Sequence, residues 1–239
     1  MSYASPRAAA WGGRRDALDA PALVLGASYV GFGSLCRESG LTLIQGLTST
    51  TTAWALPGQV AMVELYGVGA SFVAIVLAVA LANARLLPMT VTLMPLMRSA
   101  GTPRWRAYLA AHFVAVTAWA QGMQRCPDLP REQRLPYFFG FATTLWLVTL
   151  VGTVVGFFAA GQLPAAVSLG LVFLNPLYFM LIFLVDLRQR LRALALGLGA
   201  VLGPALATMA ADWALPLTGL VAGSAAFLID RHLGRRRRA

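Results

Sequence analysis

Leu56-Pro57-Gly58-Gln59-Val60-Ala61-Met62-Val63-Glu64, and then, after an apolar run, Ala82-Asn83-Ala84-Arg85-Leu86-Leu87-Pro88-Met89, stand within the stretch 56–95 on which the fold class turns. Proline, glycine, amide and charged side chains are set here inside long hydrophobic sequence. Such groups are costly in lipid. In a membrane protein, irregular backbone and intramembrane polar side chains are tolerated where they line a protein-enclosed or wet cavity. Pro57, Gly58 and Pro88 therefore read as helix breaks, and Gln59, Glu64, Asn83 and Arg85 as groups that meet a ligand or one another.

The rest of the chain supports a membrane reading. Of its 239 residues 58% are hydrophobic and 12% charged, against about 45–50% and about 25% in soluble domains. Long uncharged runs alternate with short arginine-containing segments, which is the pattern of several helical spans. The runs are too long and too uniformly apolar for the alternating strands of a transmembrane barrel. The expectation is an all-α, polytopic helical membrane protein with seven to eight membrane segments, at least one of them broken or re-entrant. The net charge of +10 comes from arginine alone, without lysine. It sits in loops and tails rather than on one soluble face, which argues against nucleic acid as a partner and for contact with membrane lipids.

Residues 1–20 are polar and read as a disordered or interfacial cytoplasmic segment, 21–230 as a single transmembrane transport domain, and 231–239 as a basic cytoplasmic tail. The first twenty residues lack the apolar core of a cleavable signal peptide. Small residues in the first apolar run (Gly26, Ala27, Gly31, Gly33, Ser34) predict close helix packing. Arginine bias puts the N-terminus, loop 124–136, loop 188–192 and the C-terminus on the cytoplasmic side. Eight crossings would then put Arg98, Arg104 and Arg106 outside, against the positive-inside rule. A broken or re-entrant segment between 41 and 97 resolves that conflict. Cys36 and Cys126 are expected on opposite faces, without a bridge between them.

Enzyme chemistry has no foothold. No phosphate loop, metal-spaced histidine pair or nucleophilic triad can be assembled, and no metal or cofactor is implied. His112 reads as an interfacial residue, Gln121 as a member of the intramembrane polar set that lies away from the 59–85 cluster, and Asp186 beside Arg188 as topological punctuation. The hydroxyl run Thr48-Ser49-Thr50-Thr51-Thr52 reads either as a soft point in a helix or as side chains bonded back to their own helix. Arg85 is placed to pair with Glu64 or with a substrate carboxylate, and Pro88 to free a carbonyl near Ala84. Asn175-Pro176 repeats the theme of an amide beside a breaker inside an apolar run, the kind of pair that marks a transporter's midplane site.

Together Gly40-Leu41-Thr42, Pro57-Gly58-Gln59, Gly67 to Gly69, and above all Asn83-Ala84-Arg85-Leu86-Leu87-Pro88-Met89 with Leu93 and Pro95, resemble the AzlC family, which carries a Gly-Ala-Ser-Gln-like break and an Asn-Leu-Arg-His-Leu-like segment in this arrangement. The resemblance runs from about 21 to 229 and is most specific over 56–95. It implies the large subunit of a secondary exporter of branched-chain amino acids in a bacterial inner membrane, acting with a small AzlD-like membrane subunit. For such an exporter the polar groups read above are the expected substrate-binding residues, Gln59, Glu64, Asn83, Arg85 and Asn175, at breaks formed by Pro57, Gly58, Pro88 and Pro176, with the substrate side chain among Trp54, Phe173 and Tyr178. The alternatives are a scaffold subunit without a transport site, or an exporter of another small amino acid or metabolite. Leu86 stands where the family has histidine, Thr117-Ala118-Trp119-Ala120 where it has an acidic pair, and Asn175-Pro176 where it has an Asp-Phe-like start. The loss of titratable groups suits a site that holds a ligand better than one that relays a proton.

Overall fold

The computed structural model describes residues 3–99, 101–160, 162, 164, 166–167, 169–173, 177, 190–209 and 214–236. Among these the secondary structure is helical, with no strand. The chain divides into two compact units, Met1–Asn175 and Pro176–Ala239. In the second, α10 (Arg190–Met209) packs on α11 (Ala214–Arg236), where Gly203 faces Thr218.

The first unit is built around α9 (Arg131–Ala159), the one described helix long and apolar enough by itself to cross a membrane. Two bent pairs pass the same test when each is taken as one span: α1 (Pro6–Ala17) with α2 (Ala20–Glu38), bent by 57°, and α5 (Phe72–Asn83) with α6 (Leu86–Met97), bent by 41°. Glycines set the first pair against α9. A Cβ on Gly13 or Gly33 would overlap the Tyr137 or Thr153 carbonyl, and one on Gly140 or Gly156 would overlap the Ala10 or Val30 carbonyl. Removing side chains from both surfaces brings backbones into contact, which drives helix association where no hydrophobic force is available. The polar start is therefore a packed helix, begun by the Ser5 cap and Pro6 and held by hydrogen bonds from Tyr137 and Arg125 to Asp16 at 2.6 and 3.3 Å.

Between these long elements lie two hairpins of short helices. The first comprises α3 (Leu43–Thr52) and α4 (Leu56–Gly67). It enters beside the end of α2, where Gly46 faces Cys36. It turns at Ala53–Ala55 against Thr149, halfway along α9, and returns to bring Gly67 beside Ser39. A capping box between Thr42 and Gln45 starts it, satisfying donors that a helix N-terminus leaves open. The second hairpin, α7 (Arg104–His112) and α8 (Val116–Arg125), enters from the opposite end. There Trp105, Arg106, Arg131 and Glu132 line one cavity of about 480 Å³, and Arg134 donates to the Leu96 carbonyl at 3.1 Å. Each arm is only about 14–18 Å long at 1.5 Å per residue, roughly half of a bilayer core.

This arrangement corrects the eight-crossing layout. Segments 41–56 and 108–123, each counted as a crossing, are broken at 53–55 and 113–115 and turn back. Loop 98–106 consequently lies at the same end as Pro6 and loop 124–136. The arginine conflict arose from treating two hairpins as spans. A bent pair followed by a half-length hairpin thus occurs twice in succession, running in opposite directions. Cys36 and Cys126 are both free and buried, near opposite ends of the unit.

Candidate functional site

The tips of the two hairpins meet beside the middle of α9. His112 Nε2 lies 3.0 Å from the Thr51 carbonyl, so that nitrogen carries the proton. The Phe113 ring stands edge-on to Trp54 and Trp146 at 6.1 and 5.9 Å.

On the first hairpin the polar groups are paired. Gln59 is only 1% exposed. Its amide donates to Ser49 and Thr50 at 2.8 and 3.1 Å, and its carbonyl accepts from the Tyr29 hydroxyl at 2.7 Å. Thr50 also bonds the Gly46 carbonyl, and its hydroxyl lies 3.3 Å from that of Thr153. Trp54 adopts φ +29° at the turn and donates its indole N–H to Thr149 at 3.0 Å. A left-handed backbone at a bulky residue costs about 1–3 kcal/mol, so the pairing of its ring with α9 and Phe113 holds the tip in place. The hydroxyl run follows the second of its sequence readings and adds a partner that the sequence did not indicate. Thr50 and Thr52 bond back to Gly46 and Thr48, while Ser49 and Thr50 take Gln59.

At the bend between α5 and α6 the polar groups are unpaired. Asn83 packs on Gly58, where a Cβ would come 2.5 Å from its Oδ1. Any larger residue at 58 would expel the amide. Asn83 Oδ1 and Arg85 Nε are buried without a hydrogen-bond partner. Glu64 is exposed on α4, and no ion pair joins it to Arg85. The Ala84 carbonyl is not free either, because it accepts from Leu87 N at 3.2 Å. Pro57 and Pro88 each lie in the first turn of the helix after a break rather than at the break itself, where a missing N–H costs no intrahelical bond.

The second hairpin adds groups that the sequence reading left aside. Thr117 Oγ1, in the first turn of α8, is buried without a partner, as is Trp146 Nε1 beside Phe113. Among the described residues these two and the Asn83 and Arg85 atoms are the unpaired buried side-chain polar atoms, and all belong to the hairpin tips or to the segments beside them. Buried polar groups are nearly always satisfied, so this gathering is the candidate site. Uninterrupted hydrophobicity hid the break at 113–115, and nothing in single-residue chemistry separates Thr117 from the many paired hydroxyls.

Other expected positions fall elsewhere. Gln121 donates to Tyr137 at 2.8 Å in the Asp16–Arg125 cluster at the basic end, and Phe173 is exposed. Asn175, Pro176, Tyr178 and Asp186 lie outside the described residues.

The family model for AzlC protein matches residues 21–163, from the start of α2 to just past α9, and so takes in both hairpins. No curated protein and no solved structure matches the chain. With more than half of its length covered by that model, the chain belongs to the AzlC family.

Proposed function

We propose that this chain is the large subunit of a secondary exporter of branched-chain amino acids, embedded as a multi-pass protein in a bacterial inner membrane and working with a small AzlD-like subunit. The gathering of unpaired polar atoms at the hairpin tips carries the reading. A zwitterionic amino acid presents an acceptor carboxylate and a donor ammonium, and these atoms offer both complements: donors on Arg85, Trp146 and Thr117, and an acceptor on Asn83. The apolar side chain would lie against the aromatic cluster of Trp54, Phe113 and Trp146.

Membrane insertion is supported by the exposed apolar surface. No residue of α5 is buried although the helix is almost wholly apolar, and Leu147, Val151, Val155 and Phe158 line one exposed face of α9. Water-exposed patches of that kind are rare on soluble monomers. With the arginine-rich end in the cytoplasm, the first hairpin enters from outside and the second from inside. Substrate held between their tips is reached from either side as the hairpins move, in the manner of broken-helix transporters. Within this reading Asn83 and Arg85 contact substrate and Gln59 braces the tip. Asn175 remains a member of the proposed substrate-binding set, whereas Glu64, exposed on α4 away from the tip, leaves it.

The scaffold alternative is favoured by one observation, the complete internal pairing of Gln59. Efflux of labelled leucine, valine and isoleucine from cells carrying the chain with its partner subunit separates the two readings. Export that falls at least tenfold in Asn83→Ala and Arg85→Ala supports the transport site. Undiminished export in both would remove it.

A further inference from the structure

We infer that the first turn of α8, with the Thr117 hydroxyl, is the subsite that takes the carboxylate of the transported molecule, together with Arg85 across the α6–α8 contact. This rests on the exporter reading above and assigns to the second hairpin a role that none of the sequence motifs indicated.

Three observations carry it. Helix α8 begins on Ala115, which offers no side-chain cap, and no described group accepts from the amides of Val116, Thr117 or Ala118. These residues are buried, so water does not supply the missing acceptors as it does at an exposed helix end. The Thr117 side chain, 3% exposed and itself unpaired, sits among those amides in the same turn. A free set of buried donors at a helix N-terminus, where the aligned peptide dipoles favour negative charge, fits an anion.

Packing register brings Arg85 within about one turn of that level. Trp119 donates to Thr92 at 3.0 Å, and Gly122 faces Leu93, so α6 and α8 run side by side in the same direction. By these contacts Thr117 stands level with residues 88–90 of α6, and Arg85 lies about one turn, roughly 5–8 Å of axial rise, farther along. The first hairpin is built differently at the matching place. Helix α4 also starts on an uncapped alanine, Ala55, but has Pro57 in its first turn and so one donor fewer. Beside that turn stands Asn83 with an unpaired acceptor, Oδ1, 2.5 Å from where a Gly58 Cβ would be. Donors gather on the α8 side and an acceptor on the α4 side. A zwitterion lying between the tips would direct its carboxylate toward α8 and its ammonium toward Asn83.

The test measures binding to the purified chain with its partner subunit, using leucine, leucinamide, which lacks the anionic carboxylate, and isovalerate, which lacks the ammonium. Wild type should prefer leucine over leucinamide. Thr117→Val should weaken leucine and isovalerate roughly ten- to a hundredfold, the effect of losing one hydrogen bond to a charged group, with leucinamide unchanged. Thr117→Ser, which keeps the hydroxyl, restores leucine binding and guards against a folding defect in the valine variant. Equal loss of leucine and leucinamide in Thr117→Val, or no loss of either, overturns the subsite. If wild type binds isovalerate in a Thr117-dependent way but neither binds nor exports leucine, the exporter reading falls and the subsite stands. If wild type binds neither leucine nor isovalerate, the subsite falls.

Discussion

The two hairpins share a plan and differ in how their polar groups are used. At the tip of α3–α4, Tyr29, Gln59, Ser49 and Thr50 are joined through Thr153 to Thr149 and Trp54 in one buried network. At the tip of α7–α8 and the adjoining bend of α5–α6, Thr117, Asn83 and Arg85 have no partner. Satisfied networks rigidify and specify structure, while unsatisfied groups weaken it. Under the proposed function, the paired groups of the first tip hold the frame, and the unpaired Asn83, Arg85 and Thr117 are left to meet substrate. The difference also separates two kinds of buried polar residue that composition cannot tell apart.

Several substitutions would break or sharpen that contrast. The largest effect belongs to the frame that both hairpins lean on. Gly33→Val or Gly156→Val sets a side chain against a facing carbonyl and should cost about 3 kcal/mol or more, seen as loss of monodisperse protein after extraction. Near-normal thermal unfolding of either variant would mean that α2 and α9 do not pack backbone to backbone. Next comes the paired tip. Gln59→Leu strands the Tyr29 hydroxyl and leaves Ser49 without its donor, and at about 1–3 kcal/mol for each stranded buried group the melting temperature should fall by several degrees. A variant as stable as wild type would turn Gln59 into a ligand residue and weaken the contrast.

The unpaired tip should behave in the reverse way. Asn83→Ala and Arg85→Ala remove groups that hold no hydrogen bond at the atoms named, so their unfolding should stay within about 1 kcal/mol of wild type while export collapses. Destabilisation as large as that of Gln59→Leu would show that these residues are structural. The smallest effect concerns the basic end. Burial pushes the Cys126 thiol up to about 11, against the pull of Arg134. A raised thiol value favours the folded state below the ordinary thiol range and withdraws that contribution as pH climbs toward 11. Thiolate-directed labelling of Cys126 in the native protein should therefore stay slow through pH 9, and fast labelling at pH 8 would contradict its burial.

How far the sequence could be read follows the same division. Helical class, the glycine-rich packing of α2 and the special character of 56–88 follow from composition and from breakers beside amides. Those signals are local. The second hairpin was illegible because Ala-His-Phe-Val-Ala-Val-Thr carries neither proline nor glycine at the turn, and its break is imposed by contact with Thr51, Trp54 and Trp146 rather than by backbone preference. The pairing of Arg85 with Glu64 failed for a related reason. Nearness along the chain placed them in one region, but α4 carries Glu64 away from the tip to an exposed position. Arginine content does group loop 98–106 with loop 124–136, and the structure sets both at one end of the unit; the layout separated them because each half-length helix pair was counted as one crossing.

The central claim is that substrate lies between the two tips, and substrate protection in a cysteine-free background tests it most directly. A cysteine placed at Ala115, the residue that starts α8, should react with a small thiol reagent at a rate that leucine slows severalfold, while a cysteine at Ser39, at the mouth of the first hairpin, should not respond. Equal rates at position 115 with and without leucine, in a preparation that exports leucine, would contradict the account.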